Sequence, residues 1–163
     1  MKPDLYKVSE IGKGALFVMP KPSSEWLTDD IAYYSSMGVS LVLSLMEVSE
    51  SYECGLQKEQ EILSGFGIEF INYEVKDRGL PILSDFRRLI RELYVQVSEG
   101  ANLAVHCRAG IGRSGVVASC ILIADGVDPQ HAIDMVSAAR RVSIPDTQEQ
   151  YDFIMDYDSG AII

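Results

Sequence analysis

Apolar positions along this chain recur with two periods. Val39 to Leu45 and Asn102-Leu103-Ala104-Val105 are nearly unbroken apolar runs, the pattern of strands buried on both faces. Tyr6 to Ile11 and Ala15 to Met19 flank Gly12-Lys13-Gly14 and read as a hairpin that Pro20-Lys21-Pro22 stops, and Ile68 to Tyr73 gives a further strand. Between the strands the apolar spacing turns helical. Ser23 and Ser24 offer caps for a helix through Trp26, Leu27, Ile31, Tyr34 and Met37, closed by Gly38, with Trp26 expected as a packing residue. Leu56, Glu59, Ile62 and Leu63 mark a second helix ending at Gly65 or Gly67, an ordinary surface helix by its pattern, after an acidic, solvated loop from Glu47 to Glu53. Ser84 to Ser98 places Phe86, Leu89, Ile90, Leu93 and Val97 on one side, and Ser114 to Ala124 is apolar enough for a buried helix. Asp128-Pro129 opens another helix, and Pro145-Asp146-Thr147 the last. Strands alternating with helices predict an α/β single domain, 1–163, with a central, mostly parallel sheet of about five strands and helices on both faces.

Composition narrows the function. In 163 residues, 47% hydrophobic, 14 Lys and Arg stand against 24 Asp and Glu, a net charge of −10. That balance speaks against nucleic acid or an anionic membrane as partner, so any anion site must be a local positive spot on an acidic body. No run approaches a membrane span, and Met1 to Gly14 has no apolar core of signal-peptide length; a soluble, cytoplasmic, monomeric protein is expected. Cys54, Cys107 and Cys120 form an odd set without metal-type spacing, as free thiols in a reducing compartment do. Cys120 falls on the buried helix and Cys54 in a polar loop; a reversible disulfide from either to Cys107 is the lesser reading.

One segment concentrates the chemistry: His106-Cys107-Arg108-Ala109-Gly110-Ile111-Gly112-Arg113-Ser114 joins a strand end to a helix start. Helix starts leave N–H groups without partners and carry partial positive charge, and glycines let bare backbone close around an oxyanion. Residues 108 to 113 are therefore the expected phosphate cradle, with Arg113 offering a planar fork to two oxygens. Cys107 sits in that field, which favours its thiolate and makes it a nucleophile. Ser114 follows, its hydroxyl placed to assist the sulfur's departure. A buried structural cysteine beside a glycine turn is the blander alternative, and it leaves Arg113 and the glycines without a job.

These residues resemble the His-Cys-x5-Arg-Ser signature of the protein tyrosine phosphatase superfamily, nearest its small dual-specificity branch of the cyclin-dependent-kinase-phosphatase type. The resemblance implies a phosphatase working through a cysteinyl-phosphate on phosphorylated proteins, with no metal or cofactor. It also implies a carboxylic acid on a loop upstream of the cysteine. Glu74-Val75-Lys76-Asp77-Arg78-Gly79-Leu80-Pro81 follows the end of a strand, where open α/β sheets place their sites, and Asp77 lies 30 positions before Cys107. Asp77 is the expected proton donor; the alternative is a turn aspartate, with Glu74 and Asp85 as rivals. His106 is read as a support of the loop rather than a base. The larger enzymes carry two glutamines that position water; Gln150 matches the second, and Asp146 stands where the first would be. The Asn-Arg-Tyr recognition loop of the large enzymes is missing, which implies a shallower pocket that also admits phosphoserine and phosphothreonine. Arg108, Ala109 and Ile111 stand where phosphoinositide and RNA-directed relatives carry lysines or Thr-His, which favours a phosphoprotein. A binding-only phosphate module and a thiol enzyme of arsenate or sulfur transfer are the other classes compatible with the loop.

Overall fold

The computed structural model describes residues 2–158. Its centre is one five-stranded sheet in the order β1-β2-β5-β3-β4, with β1 Tyr6–Ile11, β2 Gly14–Met19, β3 Leu41–Ser44, β4 Glu69–Asn72 and β5 Asn102–His106. Only the β1–β2 hairpin is antiparallel; β2, β5, β3 and β4 run parallel. The register puts Leu16, Leu103 and Leu41 in one cross-strand row and Val18, Val105 and Leu43 in another. Successive side chains on a strand point to opposite faces, so each strand feeds two cores. Leu16, Val18, Leu43 and Val105 pack with Phe86, Ile90, Val117, Ile133 and Ile154, while Phe17, Val42 and Ala104 pack with Leu27, Ile31, Tyr34 and Leu63.

The helices divide accordingly. α1 Leu27–Ser36, α2 Val48–Glu53 and α3 Glu59–Gly65 follow the first half of the chain; α4 Leu83–Ser98, α5 Gly112–Ala124, α6 Pro129–Arg140 and α7 Gln148–Asp156 follow the second. The α/β expectation, five mostly parallel strands clothed on both faces, holds. So does the expected proline start of α6, where Asp128 accepts from the His131 N–H.

Three local expectations fail. Glu47 to Glu53 is not a solvated loop: Val48–Glu53 is helical, with Glu47 and Glu50 exchanging side-chain and backbone hydrogen bonds in a capping box. The second helix is not merely a surface helix, because Glu59 at its start is 3% exposed. Trp26 does not pack; it is 62% exposed. In each case a partner distant in sequence, or a shortage of such neighbours, overrides the local polar or apolar pattern.

The register also levels one edge. Met19, His106, Ser44 and Asn72, the last residues of four parallel strands, are paired with one another across the sheet. Whatever follows these strands is delivered to the same rim: Cys107 after β5, Glu50 after β3 and Asp77 after β4.

Candidate active site

The segment after β5 wraps into the start of α5. Gly110 has φ +74, and a Cβ there would lie 2.5 Å from the Met19 carbonyl oxygen, so only glycine lets the loop lie against β2. The Gly110 N–H donates to Cys107 Sγ at 3.3 Å. Cys107 is 3% exposed and opens into a pocket of about 150 Å³, lined by Asp77, Arg78, Arg108, Ala109, Gly112, Arg113 and Asp146 as well. That volume suits a small oxyanion rather than a drug-sized ligand, whose pockets start at about 300 Å³.

Arg113, at the second position of α5, is buried, and its donors are largely spent. Nη1 donates to Glu50 Oε1 at 2.8 Å and to the Val75 carbonyl at 3.0 Å, and Nη2 donates to Glu50 Oε2 at 2.9 Å. This bidentate fork with α2 takes one edge of the guanidinium. The other edge, Nε and the outer Nη2 hydrogen, is the one left for an anion: Nε is buried without a hydrogen-bond partner among the described residues, and Nη2 lies 3.2 Å from Asp77 Oδ1. Glu50 also accepts from Arg108 Nε at 3.1 Å. Burial by itself raises the Glu50 pKa, but the hydrogen bonds and charge of Arg113, with Arg108 behind them, outweigh it and hold the carboxyl below the usual range. For Arg113 burial works against the charge, and the Glu50 hydrogen bond, the Cys107 sulfur and Asp77 reverse the balance, so its pKa is raised.

Asp77, 58% exposed at its side chain, reaches Arg113 from the loop between β4 and α4. The next residue, Arg78, has φ +62, a left-handed conformation uncommon outside glycine, and its Nη1 lies 3.9 Å from Asp146 Oδ2. Gln150, fully buried, joins this loop to the start of α7. Its Oε1 accepts from the Asp146 and Thr147 N–H groups at 3.1 and 3.2 Å, and its Nε2 donates to the Gly79 carbonyl at 3.3 Å. It also touches the cysteine loop: a Cβ on Gly112 would come within 3.0 Å of its Oε1. Both lone pairs of that oxygen are thus occupied.

His106 lies under the backbone of Cys107. Its Nδ1 is 3.0 Å from the Cys107 carbonyl, which can only accept, so Nδ1 carries a hydrogen; Nε2 is 2.6 Å from Glu59 Oε2. Burial disfavours the charged ring, and the charge and hydrogen bond of Glu59 outweigh that burial, so the His106 pKa is raised. Ser114 Oγ is buried with no hydrogen-bond partner among the described residues. All three thiols are free; Cys120 is fully buried among apolar groups, which pushes its pKa well up.

Glu50 and Glu59 are the two site residues that the sequence reading missed. One signal was available for Glu50: it follows the end of β3 on the same rim, the argument that singled out Asp77.

The Cys107 loop thus lies between the fourth parallel strand of the chain and a buried helix, with Arg113 paired to Glu50 and the Asp77 loop on the same rim. The chain belongs to the DSP-PTPase phosphatase domain family, whose model, described as "PTP-SAK: Swiss Army Knife protein, DSP-PTPase phosphatase domain", matches residues 6–154. Protein tyrosine phosphatase domain-containing protein 1 of Mus musculus is 34% identical over 142 residues, 79% of this chain and 19% of that protein. Cyclin-dependent kinase inhibitor 3 of Rattus norvegicus is 27% identical over 99 residues, 60% of this chain and 47% of that protein. The chain therefore spans from about a fifth to about half of the length of these relatives. Among solved structures, kinase associated phosphatase (KAP) with its catalytic-site cysteine replaced by serine superimposes with a TM-score of 0.83, at 19% identity and covering 94% of this chain and 93% of that one. Tk-PTP in its active form gives a TM-score of 0.75, at 22% identity and covering 96% and 98%. No helix among the described residues is long and apolar enough to cross a membrane.

Proposed function

We propose that this chain hydrolyses phosphate monoesters on proteins, phosphotyrosine foremost with phosphoserine and phosphothreonine also admitted, by two displacements at phosphorus. Cys107 Sγ attacks phosphorus and forms an S–P bond as the ester P–O bond breaks. Asp77 gives its proton to the departing oxygen. The Nε and outer Nη2 edge of Arg113, with the loop N–H groups of residues 108 to 113, takes up the charge spread over the three equatorial oxygens. Water then attacks the cysteinyl-phosphate, the Asp77 carboxylate accepts its proton, and the S–P electrons return to a sulfur that Ser114 stabilises by donating its hydroxyl hydrogen.

The observation that carries this reading is the convergence of Cys107, Arg113 and Asp77 on one small pocket, with the Gly110 N–H on the sulfur and Asp77 on the free edge of the guanidinium. Arg108 is drawn to Glu50 rather than held out as an additional anion reader, which favours a simple monoester over a polyphosphorylated headgroup. Gln150 supports the acid loop, its oxygen accepting from the Asp146 and Thr147 N–H groups and its Nε2 donating to the Gly79 carbonyl.

The test is turnover of a phosphopeptide panel bearing Tyr, Ser or Thr phosphate, with an aryl phosphate as reference. Hydrolysis by the wild type, insensitive to EDTA and absent in Cys107→Ser, is expected. Tight phosphopeptide binding without turnover would instead identify a binding module, and turnover confined to arsenate or sulfur transfer a different thiol enzyme.

A further inference from the structure

Arg140, the last residue of α6, lies against the cysteine loop from outside. Its Nε donates to the Gly110 carbonyl at 3.2 Å and an Nη2 hydrogen to the Ala109 carbonyl at 3.0 Å. The guanidinium carbon sits 4.7 Å from the centre of the Tyr6 ring on β1, a cation–π contact that fixes the plane of the fork. One residue earlier in the loop, the Arg108 carbonyl accepts from the Lys21 N–H at 3.1 Å. Three successive carbonyls are thus held by groups outside the cradle.

The consequence follows from peptide geometry. These peptide bonds are trans, and in a trans peptide the C=O of one residue and the N–H of the next point to opposite sides. A carbonyl of Arg108 held outward turns the Ala109 N–H inward; carbonyls of Ala109 and Gly110 held outward turn the Gly110 and Ile111 N–H groups inward. The Gly110 N–H is indeed the group on Cys107 Sγ. Free peptide planes flanking a glycine rotate cheaply, so an unclamped loop would lose this alignment.

We propose that Arg140 is a positioning residue that locks two peptide planes of the loop, so that the Gly110 and Ile111 N–H groups converge on the sulfur and on the oxyanion bound there. The inference rests on the oxyanion-binding reading of the loop. Arg140 never touches the substrate; its planar fork acts from behind, and Tyr6 keeps that fork in register. A lysine cannot replace it fully, because one ammonium does not span two carbonyls in a fixed plane.

The experiment compares wild type, Arg140→Ala, Arg140→Lys and Tyr6→Leu by three readouts: aryl phosphate turnover, inhibition by inorganic phosphate, and the amide resonances of Gly110 and Ile111. For Arg140→Ala the expected results are a fall in kcat/KM of about 10-fold or more, short of the 10²–10³ seen when an oxyanion donor is deleted outright. Weaker phosphate inhibition, displaced and faster-exchanging Gly110 and Ile111 amides, and partial rescue by added guanidinium are expected with it. Arg140→Lys recovers part of the loss, and Tyr6→Leu shifts the same readouts less; it carries the test if Arg140→Ala does not fold. Unmoved amides and unchanged phosphate inhibition in a folded variant would overturn the proposal. Wild-type protein that binds phosphate without turnover would defeat the catalytic reading, while the amide shifts would still report on the clamp.

Discussion

Arg113 and Glu50 meet edge to edge, with Nη1 2.8 Å from Oε1 and Nη2 2.9 Å from Oε2. The pair fixes which edge of the guanidinium faces the pocket. Glu50→Ala leaves Arg113 buried without its counter-charge, and breaking such a pair costs about 3–5 kcal/mol. We expect a lowered melting temperature and a fall in kcat/KM larger than any change explained by unfolded protein. Glu50→Gln, which keeps the shape and one acceptor, should retain more of both. Thermal melts beside aryl phosphate kinetics check this; wild-type kinetics in Glu50→Ala would deny the pair its orienting role.

Asp77 occupies the edge of Arg113 that an oxyanion needs, at 3.2 Å from Nη2. On the proposed reading Asp77 and a substrate oxyanion compete for one donor, so a bound phosphate is expected to displace the Asp77 side chain from Arg113. Asp77→Asn should lower kcat by about 10²–10⁴-fold, the usual range for a lost general acid. Inhibition by inorganic phosphate should tighten in the same variant, by about 5-fold or less, since an exposed ion pair is worth at most about 1 kcal/mol. Phosphate inhibition that weakens in Asp77→Asn would contradict the competition.

Gln150 binds the acid loop to α7 through the Gly79 carbonyl. Gln150→Glu keeps an acceptor for the Asp146 and Thr147 N–H groups but loses the donor, so the expected result is faster hydrogen exchange across 76–80 and a reduced kcat with little change in phosphate inhibition. Exchange at the wild-type rate would remove the tether from the account.

The His106 and Glu59 pair predicts a pH dependence of stability. His106 has a folded-state pKa raised above its ordinary value of 6.5. A raised pKa stabilises the fold fully below 6.5, and the contribution fades as pH climbs through the folded-state value. The difference in unfolding free energy between wild type and His106→Asn should thus be constant on the acidic side of 6.5 and shrink above it. Denaturant titrations across that interval check the sign, and a gap that widens with pH would reverse it.

Much of the architecture was legible because it is written in local period: β5 and β3 in unbroken apolar runs, α4 in a one-sided stripe, the cysteine loop in its glycines and arginine. The place of Asp77 on the rim was legible because a strand end in an α/β sheet has a known polarity, while its choice as the acid came from the family resemblance. Glu50 and Glu59 were not, because an acidic residue in a polar stretch looks solvated until a buried cation far away in sequence claims it. Arg113 is 63 positions from Glu50, and His106 is 47 from Glu59. Trp26 erred the other way: its helix start projects beyond the core that Leu27 and Ile31 enter.

In the proposed reaction Cys107 carries the phosphoryl group between the two displacements. Rapid mixing with an aryl phosphate, acid quench and peptide mass analysis tests it most directly, with Asp77→Asn used to slow breakdown of the intermediate. One phosphoryl group is expected on the peptide holding Cys107, formed within the first turnover and absent in Cys107→Ser. Steady turnover with no phosphorylated cysteine at any time, or with Cys107→Ser as active as wild type, would contradict it.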